Sequence, residues 1–439
     1  MSMIVKNNIE ALRVVNLLDQ NNNMLQKDLS KVASGMKINS AQDDAAPWSI
    51  SERMRMRIRS LEQDNQNIEN DSALMKTAES AVANTIELLK TLKERAINSA
   101  NDSNTDEDRA TIQKEVDQFV DQIDDNALVQ FNGKYLIDGS KNNAVSATKT
   151  VLLNQSLSTD AAIGTALTDL QNRAGDALEI LDTDYVHASV IVNGEMTTWS
   201  SAVGNLSLTD VLAGLNTGST KIENKVVDTD GKIGDIKDKY AQEAYTPTKG
   251  AAIALVSATA GVTDQIAGFT ISITDSDGNV KKAANASLND FKLFQRAENE
   301  TGDHSLNFHV GPEANVAIKV GMTDMRAEAL GLKGGNNEKL NVSTKEAANS
   351  AINVIDNALT MALNQQIDIG SVLSRLNYTS ANVITARDND QESESVIRDA
   401  DMAKEMTNYT KDNVLLQSAQ AMLAQANQNS SAVLSLLQG

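Results

Sequence analysis

Met54 to Ala96 reads MRMRIRSLEQDNQNIENDSALMKTAESAVANTIELLKTLKERA, and its spacing decides the fold. Apolar residues stand at Met54, Leu61, Ile68, Met75, Val82, Leu89 and Ala96, seven apart throughout, and Ile86 adds the four–three subdivision. That repeat is the seam of a coiled-coil-like helix. The chain has three prolines, Pro47, Pro247 and Pro312, so none interrupts a helix from Trp48 to about Ala100 or from Ser343 to the end. At ~1.5 Å per residue, some 50 residues make a rod of roughly 75 Å, where an average helix has about 11–12 residues. A rod of that length needs a partner along its whole seam.

Downstream of this rod, Thr105-Asp106-Glu107-Asp108 offers an N-cap and an acidic first turn, and Ile112, Val116, Phe119 and Ile123 form a helical stripe. Phe131-Asn132-Gly133-Lys134-Tyr135 carries the Asn-Gly signal of a hairpin. The C-terminal third mirrors the first. Ser343-Thr344-Lys345-Glu346 reads as a capping box, and a stripe follows through Ile352, Ile355, Leu359, Ala362, Ile369, Leu373, Leu376 and Val383. After the charged stretch Arg387 to Glu394, a second stripe runs through Tyr409, Leu416, Ala419, Leu423, Ala426, Val433 and Leu437. The N-terminus has its counterpart in Val5, Leu12, Val15, Leu18, Leu25, Leu29 and Val32. Residues 1–35 and 400–439 read as single helices with little globular mass to cover them. Helices draw most of their stability from packing an apolar face, so these two faces are expected to pack on each other and on other chains.

Between about Ser140 and Gly335 the character changes. Ser, Thr, Gly, Asn and Asp dominate, with alternating runs at Val190-Ile191-Val192-Asn193-Gly194, at Phe269-Thr270-Ile271-Ser272-Ile273, and at Leu306, Phe308, Val310 against Val316, Ile318, Val320. These predict strands and turns, with a helix from Ser207 to Leu215 among them. The fold class is α+β: long antiparallel, coiled-coil-like helices from both termini, and a strand-rich middle.

Composition narrows the function. Hydrophobic residues make up 41% of the 439 but aromatics only 3%, which suits packed helices better than a deep ligand pocket. A net charge of −20 with no basic stripe argues against a nucleic-acid partner. Cysteine is absent, which excludes disulfides, Cys-based zinc sites and a thiol nucleophile. Met1 to Asn8 lacks the order of a secretory signal peptide, and no run approaches the ~18 apolar residues of a membrane span. The three histidines, His187, His304 and His309, form no H-E-x-x-H, and the spacing of His304 and His309 puts them on opposite faces of a strand. Asp275-Ser276-Asp277-Gly278-Asn279 resembles a calcium loop but has Ala286 where the bidentate Glu belongs, so a strand-to-strand turn is expected instead. Neither a Walker loop nor G-x-S-x-G occurs. No catalytic residue, metal ligand or cofactor is assigned, and an enzyme is not expected.

Several long motifs resemble the bacterial flagellins. Ser34-Gly35-Met36-Lys37-Ile38-Asn39-Ser40-Ala41-Gln42-Asp43-Asp44-Ala45-Ala46 is similar to the family's S-G-x-x-I-N-x-A-x-D-D-A-A signature, with Ile50-Ser51-Glu52-Arg53-Met54 after it. The Phe131-Asn132-Gly133 hairpin, Met325 to Leu332, Ile397 to Ala403 and the ending Val433 to Gly439 resemble the family too. The likeness covers roughly 1–140 and 305–439. It implies an inner-tube layer from 1–38 with 400–439, a helical shell from 39–140 with 336–399, and a variable outer region over 141–335. Val5, Leu12, Val15, Leu18, Leu25, Leu29, Val32, Leu416, Leu423, Val433 and Leu437 would then pack between terminal helices and subunits. Asn39, Asp43, Asp44, Pro47 and Trp48 would form the connecting spoke, its aspartates capping helix starts or pairing with a neighbour.

The resemblance further implies a homopolymeric extracellular filament used for motility. Export would run unfolded through the flagellar type III apparatus, without a cleaved signal peptide. Partners would be a chaperone on 400–439, the filament cap and the hook–filament junction proteins. The hook–filament junction protein itself, or a filament subunit with an adhesive outer domain, is the alternative. Two departures stand out. Pro47-Trp48 replaces the family's usual Gly-Leu, which presets a first helical turn at Pro47. At the positions where receptor-active members carry Arg, Leu and Glu, this chain has Thr91, Arg95 and Glu115, so weak recognition by the Toll-like receptor is expected.

Overall fold

The seven-residue repeats carry through to the structure. The computed structural model describes residues 8–158, 164–216, 222–227, 231–246 and 252–438, with residues 430 and 433–438 described for their backbone alone. Helices are α1 (Ile9–Ser34), α2 (Ala45–Ser99), α3 (Asp106–Ala127), α4 (Leu208–Leu215), α5 (Lys282–Leu288), α6 (Lys345–Arg398) and α7 (Met402–Gln438). The strands are β1 (Gln130–Phe131), β2 (Lys134–Tyr135), β3 (Val151–Asn154), β4 (Tyr185–Val192), β5 (Glu195–Ala202), β6 (Ile222–Val226) and β7 (Lys232–Lys237). They continue with β8 (Glu243–Tyr245), β9 (Ile253–Ser257), β10 (Ile266–Thr274), β11 (Phe291–Gln295), β12 (Leu306–His309) and β13 (Ala317–Val320). This is the expected α+β plan.

The chain divides into two compact units: residues up to Asn67 with Val310–Val316 and everything from Tyr378, and Ile68–His309 with Ala317–Asn377. In the first unit α1 and α7 run antiparallel, because Asn8 Nδ2 donates to the Ala426 carbonyl (3.4 Å) while Lys31 sits 3.9 Å from Glu405. Asn8 also caps α1, its side chain accepting from Ala11 N. Gly35 ends α1 in the left-handed region at φ 72°, which a Cβ would disfavour. The connectors then pair briefly: Lys37 N donates to Arg398 O and Ala400 N to Gly35 O, both within 2.9 Å.

The beginning of α2 meets the end of α6 through an antiparallel ladder of charges. Arg387 pairs with Glu62 (2.8 Å), Arg57 with Asp390 (2.9 Å), Arg55 with Glu394 (3.1 Å) and Arg398 with Glu52 (2.6 Å). α6 runs on through the charged stretch 387–394 to Arg398, because those charges have partners on α2. The N-terminus of α6 corrects one expectation. Its cap is Thr344, whose hydroxyl accepts from Ala347 N at 3.1 Å, so the Ser343–Glu346 spacing is one residue out of register for a box.

In the second unit, α2 buries Ile68, Met75, Val82, Ile86, Leu89 and Ala96, the residues of the predicted seam. Val116, Val120 and Ile123 of α3 and the small residues Ala347, Ala351, Ala358 and Ala362 of α6 are buried as well. Lys93 reaches Asp356 (2.6 Å), and Gln113 bonds Leu340 O and Val342 N.

The strand-rich part has a three-stranded sheet, β10-β4-β5, and a four-stranded one, β11-β3-β9-β6, which share a core with α4 and α5. Phe269 and Phe291 meet edge to face at 5.0 Å in it. The two Asn-Gly turns adopt the doubly positive φ that short hairpins require: Asn132 and Gly133 at 50° and 74°, Asn193 and Gly194 at 53° and 80°. The second tip sits on Gly334, where a Cβ would stand 1.9 Å from the Asn193 carbonyl oxygen.

Among the described residues the outer edge of β10 pairs with no strand and makes only a bridge from Thr274 to Val280 at its end; side-chain amides take that place. Asn357 and Asn353 of α6 donate to Ala267 O (2.8 Å) and Phe269 O (2.9 Å). Asn289 and Asn285, at the end of and within α5, accept from Ile271 N (2.6 Å) and Ile273 N (2.7 Å). Alternate strand residues lie roughly 6.7 Å apart and residues i, i+4 on a helix about 6 Å, so two helices with Asn at that interval match the strand's period.

Candidate assembly interface

α1 and α7 are built as heptads, and their least exposed residues trace the seam. On α1 these are Ala11, Val14, Leu18, Asn21, Leu25, Asp28 and Val32; on α7 they are Glu405, Tyr409, Asp412, Leu416, Ala419, Leu423 and Ala426. Steps of three and four alternate on both, which keeps one stripe of each helix facing the other. Of the residues named from sequence, Leu18, Leu25, Val32, Leu416 and Leu423 lie in this seam.

Leu12, Val15 and Leu29 do not. They point outward, with Leu12 at 62% and Leu29 at 50% exposure, and Leu17, Met24 and Ile9 accompany them. α7 likewise leaves Met402, Met406, Val414, Leu415 and Met422 exposed. After the seam closes, each helix therefore keeps a second apolar surface. Scattered apolar residues on a surface need no explanation, but this concentration on two paired helices is the kind of exposed apolar surface that interaction sites present. Val5, Val433 and Leu437 lie outside the residues whose side chains are described.

The seam also holds charge, which no apolar scan would select. Lys31 stands 3.9 Å from both Asp28 and Glu405. Burial raises the Asp28 carboxyl above its usual range. Lys31 pulls it back, while Asp412 and Glu405 push it further up and Asp412 shares a hydrogen bond with it. Three carboxylates around one ammonium leave the layer short of positive charge.

The spoke residues divide the work of ordering the 35–48 segment. Asp43 accepts from Asn39 N, Ser40 N and Ser40 Oγ; partial burial opposes these bonds, but together they hold its carboxyl below the usual range. Asn39 Nδ2 reaches back to Ser30 O on α1 (3.2 Å). Asp44 Oδ1 accepts from Ala46 N (3.3 Å), so Asp44 caps α2, and Pro47 occupies the first turn where its missing N–H costs nothing. Trp48 is half-buried and lines one end of a shallow groove along α2 that runs on past Glu52, Arg55 and Met56 to Arg59.

Thr91, Arg95 and Glu115 lie on α2 and α3. Arg95 Nε is 3.1 Å from Glu115 Oε1, each side chain about 41% exposed, and the Thr91 hydroxyl donates to Glu87 O. The Glu is already engaged by its own chain. Among the described residues no three His, Asp or Glu side chains converge as metal ligands would. The 275–279 segment is a turn: Asp275 Oδ1 accepts from Asp277 N and Asn279 N, and Gly278 has φ 85°.

Known proteins share this organisation. The family model for the bacterial flagellin N-terminal helical region matches residues 5–142, and that for the C-terminal helical region matches 352–437. A flagellin of Clostridium tyrobutyricum is 31% identical over 97% of this chain and 99% of its own length. The flagellar filament 33 kDa core protein of Treponema phagedenis is 26% identical over 99% and 100%, and the flagellin of Bacillus subtilis is 26% identical over the same shares.

Proposed function

Since the chain belongs to the bacterial flagellin family, we propose that its paired terminal helices are the joint through which identical copies stack into the flagellar filament used for motility. The family is structural, and its filament is an extracellular appendage. The observation that carries the reading is the outward apolar surface left on α1 and α7 once their mutual seam is closed. A lone subunit exposes that surface to water at a cost of about 25 cal/mol per Å², and stacking removes it.

The rest of the assignment follows from the same ends. Residues 1–38 with 400–439 form the layer lining the filament's inner tube, 39–140 with 336–399 the next shell, and 141–335 the outer region. Export would run unfolded through the flagellar type III apparatus, and a chain without cysteine carries no disulfide to block that threading. The exposed apolar residues of α7 are the segment an export chaperone would cover before secretion. The filament cap and the hook–filament junction proteins meet the same terminal surfaces. Engagement of Glu115 by Arg95 supports weak activation of the Toll-like receptor, and a reporter-cell response below that of an active flagellin monomer is the expected result.

Seeded growth tests the central claim. Leu12→Glu with Leu29→Glu should leave the circular dichroism of the monomer unchanged and slow elongation from short filament seeds at least about tenfold, since two apolar contacts become buried charges. Wild-type elongation by this variant would sink the reading. Immunogold label along the whole filament, rather than at the hook, separates a filament subunit from a junction protein.

A further inference from the structure

The first unit has charges that its own helices leave over. α2 opens with arginine at every second position: Arg53, Arg55, Arg57 and Arg59. Arg55 and Arg57 pair with Glu394 and Asp390 of α6. Arg53 and Arg59 are exposed and have no carboxylate within ion-pair distance among the described residues. On the helical wheel they flank Met56, 65% exposed, on the side of α2 opposite Met54, Ile58 and Leu61. Glu52 borders the same face but is held by Arg398 (2.6 Å), which leaves a strip with net positive charge around an apolar centre.

α6 has the complementary surface. Asp388, Glu392 and Val396 follow one another at intervals of four, so they form one row. All three are exposed, Val396 at 73%, and Glu392 has no cation partner among the described residues. Asp388 holds only its neighbour Arg387, which Glu62 also engages. The faces of α2 and α6 that meet within the copy are already occupied by the ladder of four ion pairs.

We propose that the Arg53–Met56–Arg59 strip of one copy docks on the Asp388–Glu392–Val396 row of a second copy. The occupant is a second copy because this chain carries both signs, each beside an exposed apolar residue, and Arg53, Arg59 and Glu392 have no ion-pair partner among the described residues. Two different patches make the contact heterologous, and a heterologous contact propagates into an open-ended polymer where a self-complementary one would close a dimer. It also gives a chain of net charge −20 a favourable electrostatic contact between copies that otherwise repel. The proposal rests on the filament reading and adds a surface distinct from the α1 and α7 apolar residues.

Full-length Arg53→Glu/Arg59→Glu and Asp388→Arg/Glu392→Arg proteins test it in seeded elongation. Each alone should elongate at least about tenfold more slowly at low salt, with the defect shrinking as salt screens the repulsion. The first variant is acidic on both surfaces and the second basic on both, so a one-to-one mixture should grow as an alternating copolymer. The chain bearing all four substitutions should elongate near the wild-type rate. Wild-type growth by either double variant, or a fourfold variant as defective as the doubles, overturns the contact. Failure of wild-type protein to elongate seeds would instead sink the filament reading itself. Unchanged circular dichroism in every variant separates docking from misfolding.

Discussion

The terminal helix pair and the strand-rich sandwich handle loose ends in opposite ways. α1 and α7 close a narrow seam and leave Leu12, Val15, Leu29, Met406, Val414 and Met422 in the open. The sheet β10-β4-β5 has an edge that would template strand addition, and the Asn285, Asn289, Asn353 and Asn357 amides cover it. On the proposed reading, apolar surface is kept where copies are to meet, and backbone polarity is sealed where they are not. Polymer growth would then run through side-chain packing of helices, whose register is set by heptads, rather than through sheet edges, whose register slips easily.

Deleting residues 8–34 breaks the first half of this contrast and should have the largest effect. Without α1 the seam residues of α7 lose their partner, and elongation from seeds should vanish while the second unit keeps its thermal transition. Electron microscopy and calorimetry of the same preparation read the two outcomes. Normal filaments from the clipped chain would place assembly elsewhere.

The seal is tested by Asn285→Ala with Asn289→Ala. Ile271 N–H and Ile273 N–H would be left without acceptors, each costing about 1–3 kcal/mol. The strand-rich region should therefore melt lower, and hydrogen exchange at those two amides should speed up while Val190 and Val192 of β4 keep their protection. The exposed β10 edge should also make the protein aggregate on its side at high concentration. Unaltered exchange at Ile271 and Ile273 would reduce the four asparagines to surface decoration.

Much of this organisation is legible in the sequence. The α2 seam from Leu61 to Ala96 is buried at each seventh residue, since a period of seven on a straight helix leaves little freedom in choosing the buried side. The Asn-Gly turns at 132 and 193 followed from the φ values that only such pairs adopt cheaply. α1 was harder. Apolar residues at 9, 12, 14, 15, 17, 18, 24, 25, 29 and 32 surround much of the helix, and the partner decides which third is covered. α7 selects the third containing Asn21 and Asp28, polar residues that a scan for apolar periodicity passes over. The asparagine ladder was invisible for a different reason: its bonds join residues up to 90 positions apart, and an asparagine in a helix looks alike whether it faces water or a strand. The Arg53 and Glu392 surfaces could have been suspected from the alternating arginines, but which charges pair internally depends on the antiparallel register of α2 and α6.

Acid sharpens the contrast through the second unit. Asp71 on α2 is half-buried, and desolvation alone pushes its carboxyl up to about 6 from an ordinary 3.8. A carboxyl raised in the folded state contributes stability that is fully present below 3.8 and is lost as pH rises through about 6. Melting temperature should accordingly rise as pH falls from 7 to 5. Asp71→Asn should flatten that slope and stabilise the protein at pH 7 by about 1 kcal/mol, the full shift being reduced because the group is half-exposed to screening solvent. An identical pH slope in the variant would remove Asp71 as its source.

The smallest expected effect lies in the α1–α7 seam itself. Asp28 faces Lys31 on its own helix and Glu405 and Asp412 on α7, and burial with those two carboxylates raises its pKa. The sign is the same as for Asp71: the neutral acid suits the seam better than the anion, so the pairing tightens as pH falls from above the raised value toward 3.8. Asp28→Asn mimics the protonated form and keeps a hydrogen-bond donor for Asp412. It should raise the melting point of the helix pair by about 1–2 °C at neutral pH and remove its pH dependence. Lys31→Met should act in the reverse direction, since it leaves three carboxylates with no cation. If Asp28→Asn instead loosened the pair, as followed by ellipticity at 222 nm on heating, the Lys31 contact would outweigh the carboxylate crowding, and the seam would be held by charge rather than strained by it.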